Sequence, residues 1–333
     1  MAAAGMGHLE VVKFLYEHGA AADIHTTTDD GVTPIMAAAG MGHLEVVQFL
    51  YEHGADSDIH YTTNDGRSPL YAASSSGHLQ VVKYLYKHGA AVDMHTTTKY
   101  GATPIFVASE KGHLDVVKFL FEHGADADIH TTTKDGWTPI FVASGNGHLE
   151  VVQFLYEHGA DTDIHTRTKH GWTPLYAAST FGHLEVVKLL YEHGADADIH
   201  TTTKDGWTPL CAASYLGHLE IVKFLYQHGD DIDIHTMAED GWIEVIQYLL
   251  ARGAVADTVD RYGSTPVFAA VRNGHQMAVA YFLCFQAAYV HFEDGFGQTL
   301  LWWAKKSGNT QLLKDVIQFA RMRGIKICDD DLI

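Results

Sequence analysis

Over residues 128–160, DIHTTTKDGWTPIFVASGNGHLEVVQFLYEHGA, apolar positions change their spacing twice. Leu149, Val151, Val152, Phe154 and Leu155 recur with the period of a helix that has one buried face, and Gly159 ends the run. Before them, Thr138 and Pro139 predict a helix start, with Thr as the N-cap acceptor and Pro at the first helical position, where its missing N–H costs nothing. That first helix runs through Val142, Ala143 and Ser144 until Gly145, Asn146 and Gly147 break it. From Ala160 to Gly171, β-branched Thr and Ile followed by Lys-His-Gly predict an extended hairpin leading to the next helix pair.

The pattern is copied along the chain. MAAAGMGHLE at 1–10 returns unchanged at 36–45, and G-H-L returns at Gly42, Gly77, Gly112, Gly147, Gly182 and Gly217, 35 residues apart each time. A fixed period of this length marks a repeat stack, in which each unit buries its apolar face against its neighbours. A partial unit occupies 1–29 and six full units 30–239. A shortened unit at 240–261 passes from Trp242 straight into IEVIQYLLARG, so the stretch matching Thr208–His218, and with it the first helix, is expected to be absent. Two divergent units at 262–333, ending in Asp329, Asp330 and Asp331, are expected to cap the stack.

With T-P-L before the first helix and G-H-L-E-V-V before the second, the unit resembles the ankyrin repeat over nearly the whole chain. The fold this implies is an all-α repeat solenoid of helix-turn-helix units joined by β-hairpin fingers. The ankyrin unit normally has 33 residues, so the two extra ones here predict lengthened fingers around D-I-H-T-T-T. The His that usually follows T-P-L is replaced by Met36, Tyr71, Phe106, Phe141, Tyr176, Cys211 and Phe268. The function the resemblance implies is a non-enzymatic protein–protein interaction module that binds its partner on the concave face and hairpin fingers.

Charge narrows the partner. With 22 basic and 41 acidic residues the chain carries −19, which repels phosphate backbones and favours a protein partner with basic segments over nucleic acid. The sequence has no apolar run long enough to span a bilayer and no charged-then-apolar leader, so a soluble, unsecreted chain is expected. Cys211, Cys284 and Cys328 are too few and too scattered for a disulfide framework or a zinc cluster, which points to a reducing, cytoplasmic compartment.

Of the 24 histidines, 21 fall into three ladders: one in G-H-L, one in E-H-G, and one in the finger, from His25 to His235. The first two are expected to serve the scaffold, the second because positive charge suits a helix C-terminus. Each finger His follows an Asp by two residues, a pair that shares one face in an extended strand. Packed helices lie about 8–10 Å apart, so neighbouring rings are too widely spaced to share a zinc ion, whose His ligands sit at about 2.0–2.1 Å. Hydrogen bonding from finger to finger is therefore expected, with no metal and no cofactor. Protonating all 24 would take the charge from −19 to +5, and His titrates near pH 6.5 when unperturbed. A pH-sensitive assembly scaffold is thus a further functional reading.

Function should lie in the positions that vary. After the finger Gly come Val32, Arg67, Ala102, Trp137, Trp172, Trp207 and Trp242, a position that in ankyrin repeats usually faces the partner. The four Trp form either a row of binding anchors or a stacking spine. Before G-H-L the pairs become apolar towards the C-terminus, as at Phe181, Tyr215 and Leu216, while Tyr100, Arg167 and His170 depart from the common fingertip. These residues outline a groove that is polar over 30–134 and apolar over 135–239. Motifs of known reaction centres are absent: there is no phosphate loop, no G-x-S-x-G, no H-E-x-x-H and no paired Cys. The alternative is an unusual enzyme or small-molecule binder with a pocket near the break at Trp242, lined by Tyr176, Cys211, Phe268 and Trp302.

Overall fold

The computed structural model describes residues 1–229, 241–253, 255–256, 258–260, 263–285 and 293–322. The chain divides into two compact bodies, Met1–Gly206 and Trp207–Ile333. In the first body, the first helices of successive repeats are Pro34–Gly40, Pro69–Ser75, Pro104–Glu110, Pro139–Gly145 and Pro174–Phe181, each packed on the next. Each starts where the Thr33, Ser68, Thr103, Thr138 or Thr173 hydroxyl accepts the amide three residues on, with Pro in the first turn. A cap of this kind is worth about 1 kcal/mol. The second helices begin at Leu9, Leu44, Leu79, Leu114, Leu149 and Leu184. Ile140, Val151, Val152, Leu155 and Ile164 fill the core of the repeat that starts at Asp135, and their equivalents do so in its neighbours.

All three histidine ladders are scaffold, each by a different bond. In G-H-L, the glycine makes the turn at positive φ, and a Cβ on Gly147 would sit 2.4 Å from the His183 ring of the next repeat. That ring crosses the turn and donates Nε2–H to the Gly145 carbonyl at 3.1 Å, as His43, His113 and His148 do to Gly5, Ser75 and Glu110. Burial holds the His78 ring below the usual imidazole range, against a backbone bond to Gly40 that pulls the other way. In E-H-G, His158 donates Nδ1–H to the Phe154 carbonyl at 2.7 Å and stacks on the Phe154 ring, taking up a carbonyl at the helix end.

The fingers correct the expectation of an extended strand pair. Among the described residues the only β-bridge is Glu293–Thr299, and the D-I-H segments form single 3-10 turns such as Ala127–His130 and Thr162–His165. The cause is local: the Asp128 carbonyl accepts both the amide and the hydroxyl of Thr131, closing the turn. Asp and His two residues apart therefore do not share a strand face. Instead the finger histidines from His25 to His165 reach the Asp of the following repeat, as in His60–Asp93, His95–Asp128, His130–Asp163 and His165–Asp198, all at 2.8 Å. These finger-to-finger bonds are those the spacing argument favoured. Burial pushes the Asp93 and Asp128 carboxyls up, and the hydrogen bonds from His60 and His95 pull them partly back.

The second body contains Pro209–Tyr215, Leu219–Gln227, Ile243–Ala251, Pro266–Arg272, Gln276–Phe285, Leu300–Lys306 and Thr310–Met322. In the unit at 240–261, where the first helix was expected to be missing after Trp242, Ile243–Ala251 follows Trp242 directly; the acidic ending at 329–331 lies outside the described residues. Trp242, expected to continue the Trp row, does not. It precedes Ile243–Ala251 at the N-cap with φ −74° and ψ 82°, close to the values of His148 at its own helix. Its ring covers Gly217 and its Nε1–H donates to the Tyr215 carbonyl at 2.6 Å. Gly241-Trp242 thus takes the place of Gly-His in G-H-L, with the indole doing the work of the imidazole. Among the described residues no helix is long and apolar enough to cross a membrane.

Candidate partner-binding site

Two kinds of variable position meet between the repeats that start at Asp135 and His170. The finger turn delivers Trp137 and Trp172 just before the N-cap threonines: in the second, Thr168 Oγ1 accepts the Trp172 amide and Gly171 N–H donates to the Thr168 carbonyl. From this anchored backbone, Trp137 stacks on Phe141 with centroids 5.9 Å apart, and Trp172 lies 4.8 Å from Tyr176 and 6.5 Å from Phe181. Phe141 and Tyr176 are the residues that replace the usual His after T-P-L, so that replacement builds the floor on which the indoles rest. Phe106, Phe141, Val142, Ala102 and Ala177 form a buried cluster, with Tyr71 and Trp172 packed against it.

Above the cluster runs a groove of about 730 Å³. Trp137, Trp172 and Phe181 form its aromatic sides, Phe141, Val142 and Ala177 its floor, and Glu110, Asn146 and His183 bring polar atoms to it. Trp137 is 42% exposed and Phe181 55%, high values for side chains this large. Asn146 Nδ2–H donates to the Val142 carbonyl at 2.8 Å, which turns its Oδ1 away from that bond as an acceptor. The Glu110 carboxylate pairs with Lys111 at 3.0 Å. Burial raises the Tyr71 phenol above its usual range; the nearby Arg67 charge pulls it down and Glu110 pushes it up.

Other residues expected to bind a partner lie elsewhere. Tyr100 is exposed beneath Lys99 at 5.0 Å, and Arg67 sits 4.0 Å from Asp65. The Tyr100 and His170 carbonyls accept the Lys134 and Lys204 amides, so both backbones tie one finger to the next while their side chains stay exposed. Arg167 donates to the Thr202 carbonyl of the next finger. In the second body, Trp207 meets Tyr215 edge-on at 5.0 Å, beside an exposed Leu216. Of the four residues expected around a pocket near Trp242, Tyr176 is buried against Trp172 in the first body, while in the second Phe268 is buried, Cys211 half-buried and Trp302 exposed. None of them lines the groove. The aromatic replacements signalled the groove's floor, and Glu110 and Asn146 stand in the variable pairs before G-H-L; the part of Val142 carried no signal.

The family model for ankyrin repeats in three copies matches residues 1–95, 55–133, 90–166, 125–201 and 162–236, and the model for ankyrin repeats in many copies matches 234–284. The chain belongs to the ankyrin-repeat family. Ankyrin repeats are generally protein–protein interaction modules, and these are built as helix pairs with the T-P and G-H-L devices in place. Compared with curated proteins one by one, the chain finds no match.

Proposed function

We propose that this ankyrin-repeat protein is a non-enzymatic module that holds a protein partner in the groove between Trp137 and Phe181, with the exposed fingertips around Arg67 and Tyr100 extending the contact. One observation carries the reading: three large aromatic side chains, two of them well exposed, converge on one groove over a floor that is already closed. Aromatic residues over a packed base are where interfaces concentrate their binding energy. The charge of −19 favours a partner with basic segments, since it raises encounter rates with cations and disfavours acidic competitors.

The test is co-purification from native lysate with wild type beside a Trp137/Trp172/Trp207 triple alanine variant, read by mass spectrometry and followed by affinities for single variants. A protein retained by wild type and lost with the triple variant, while the far-UV spectrum and unfolding midpoint hold, supports the reading. Trp172→Ala alone is expected to cost about 2 kcal/mol of binding, roughly 30-fold in Kd. A protein held equally by both forms counts against it, as does a variant that loses its fold, which would make the Trp row scaffold.

A further inference from the structure

The polar atoms of the groove are not a random sample. Among the residues that line it, Glu110 brings a carboxylate and Asn146 an amide oxygen, both acceptors, beside the indole N–H donors of Trp137 and Trp172. An aliphatic side chain inserted here would cover these acceptors without bonding them, which costs free energy for each one desolvated. A carboxylate or phosphate would meet the Glu110 carboxylate and a chain of charge −19. The groove calls for a group that carries positive charge, donates to a carboxylate and has a flat face for indole and phenyl rings.

We propose, resting on the reading of this groove as the partner site, that its occupant is an arginine side chain of the partner. A guanidinium has five donors and no acceptor, is weakly hydrated, and stacks on aromatic faces. In the groove it lies against Trp172 and Trp137, donates to Glu110 and to Asn146 Oδ1, and lays its methylene stem along Val142 and Phe141. The lysine ammonium shares the charge, but it is a compact, strongly hydrated group with no plane to stack, so stripping its water against these apolar walls is poorly compensated. Glu110 is two-thirds buried and pairs with Lys111 through one oxygen, and a carboxylate has capacity to accept from a second, flat cation.

Capped Gly-Arg-Gly, Gly-Lys-Gly and Gly-Leu-Gly peptides, titrated into the whole 15N-labelled chain while the indole N–H signals are followed, decide the matter. The Trp137 and Trp172 signals, assigned from their single variants, are expected to shift saturably with the arginine peptide, at least fivefold more tightly than with the other two, and the Trp302 and Trp303 signals to stay still. Glu110→Gln should weaken the arginine peptide about fivefold and leave the unfolding midpoint unchanged, while Trp172→Ala should abolish its effect. A leucine peptide that binds as well as arginine overturns the proposal in favour of an apolar anchor, and equal binding of lysine overturns the stacking. No shift with any peptide also overturns it, and a partner that still depends on Trp172 in the co-purification would then leave the groove standing as an interface with a different occupant.

Discussion

Two faces of the same repeats obey different rules. Along the second helices and fingers, the recurring histidines and aspartates are used up inside the protein: His158 on Phe154, His183 on Gly145, His130 on Asp163. At the groove, Trp137 and Phe181 stand 42% and 55% exposed, and the Glu110 carboxylate has a partner only in its chain neighbour. Both faces are rich in aromatic and titratable groups, so composition does not separate them. What separates them is whether the repeats themselves present a complementary atom: these histidines find one in their own helix, as His158 does, or in the neighbouring copy, as His130 and His183 do.

The sharpest way to break this contrast is at the turn beneath the histidines. Gly147→Ala puts a Cβ at φ 76°, 2.4 Å from the His183 ring; with left-handed strain of about 1–2 kcal/mol added to the displaced ring, an overall loss above about 2 kcal/mol is expected in urea unfolding. Asp128→Ala removes the acceptor of a bond from His95 and should cost about 2 kcal/mol of stability, while peptide binding in the groove is unaffected. Its counterpart, Trp172→Ala, should reverse the outcome: about 2 kcal/mol lost in binding and less in folding. If the two variants behave alike, the two faces are not distinct.

Acid offers a gentler probe. The folded His78 titrates below 6.5 because burial disfavours its charged form, so as pH falls through 6.5 the unfolded chain takes the proton first and stability drops. The midpoint of thermal unfolding should therefore fall between pH 7.5 and 5.5, and His78→Gln should flatten that slope. Asp93 and Asp128 act with the opposite sign in a lower window: their raised carboxyls make the folded state the better proton acceptor above 3.8, so their contribution declines as pH rises through that range. The smallest effect belongs to solvent-facing pairs. Glu185→Ala, which removes the partner of Lys188 at 2.8 Å, should change stability by under about 0.5 kcal/mol.

Much of the fold was legible because repetition turns weak local signals into strong ones. Thr-Pro caps, Gly-His-Leu turns and the heptad-like apolar face of Val151, Val152 and Leu155 each recur, and each appears where the spacing placed it. The fingers were misread at D-I-H because β-branched Ile and Thr favour strands, whereas the carbonyl of the Asp closes a 3-10 turn. Trp242 was misplaced because Gly-Trp matches two points of the unit equally well, and only its φ, ψ and the ring's seat on Gly217 distinguish them. Of the groove, the Trp row and its aromatic floor could be read in advance; the convergence of Glu110, Asn146 and Val142 could not.

By itself, the sequence determined what each repeat must be: its length, its helix pair, its caps and its buried face, since these follow from interactions within a few residues or between identical copies. The tertiary structure alone decided what meets across repeats that are not identical. Which Asp receives each finger His and which variable side chains gather at the groove depend on residues 30 to 40 apart in the chain, brought together by the stacking of one repeat on the next.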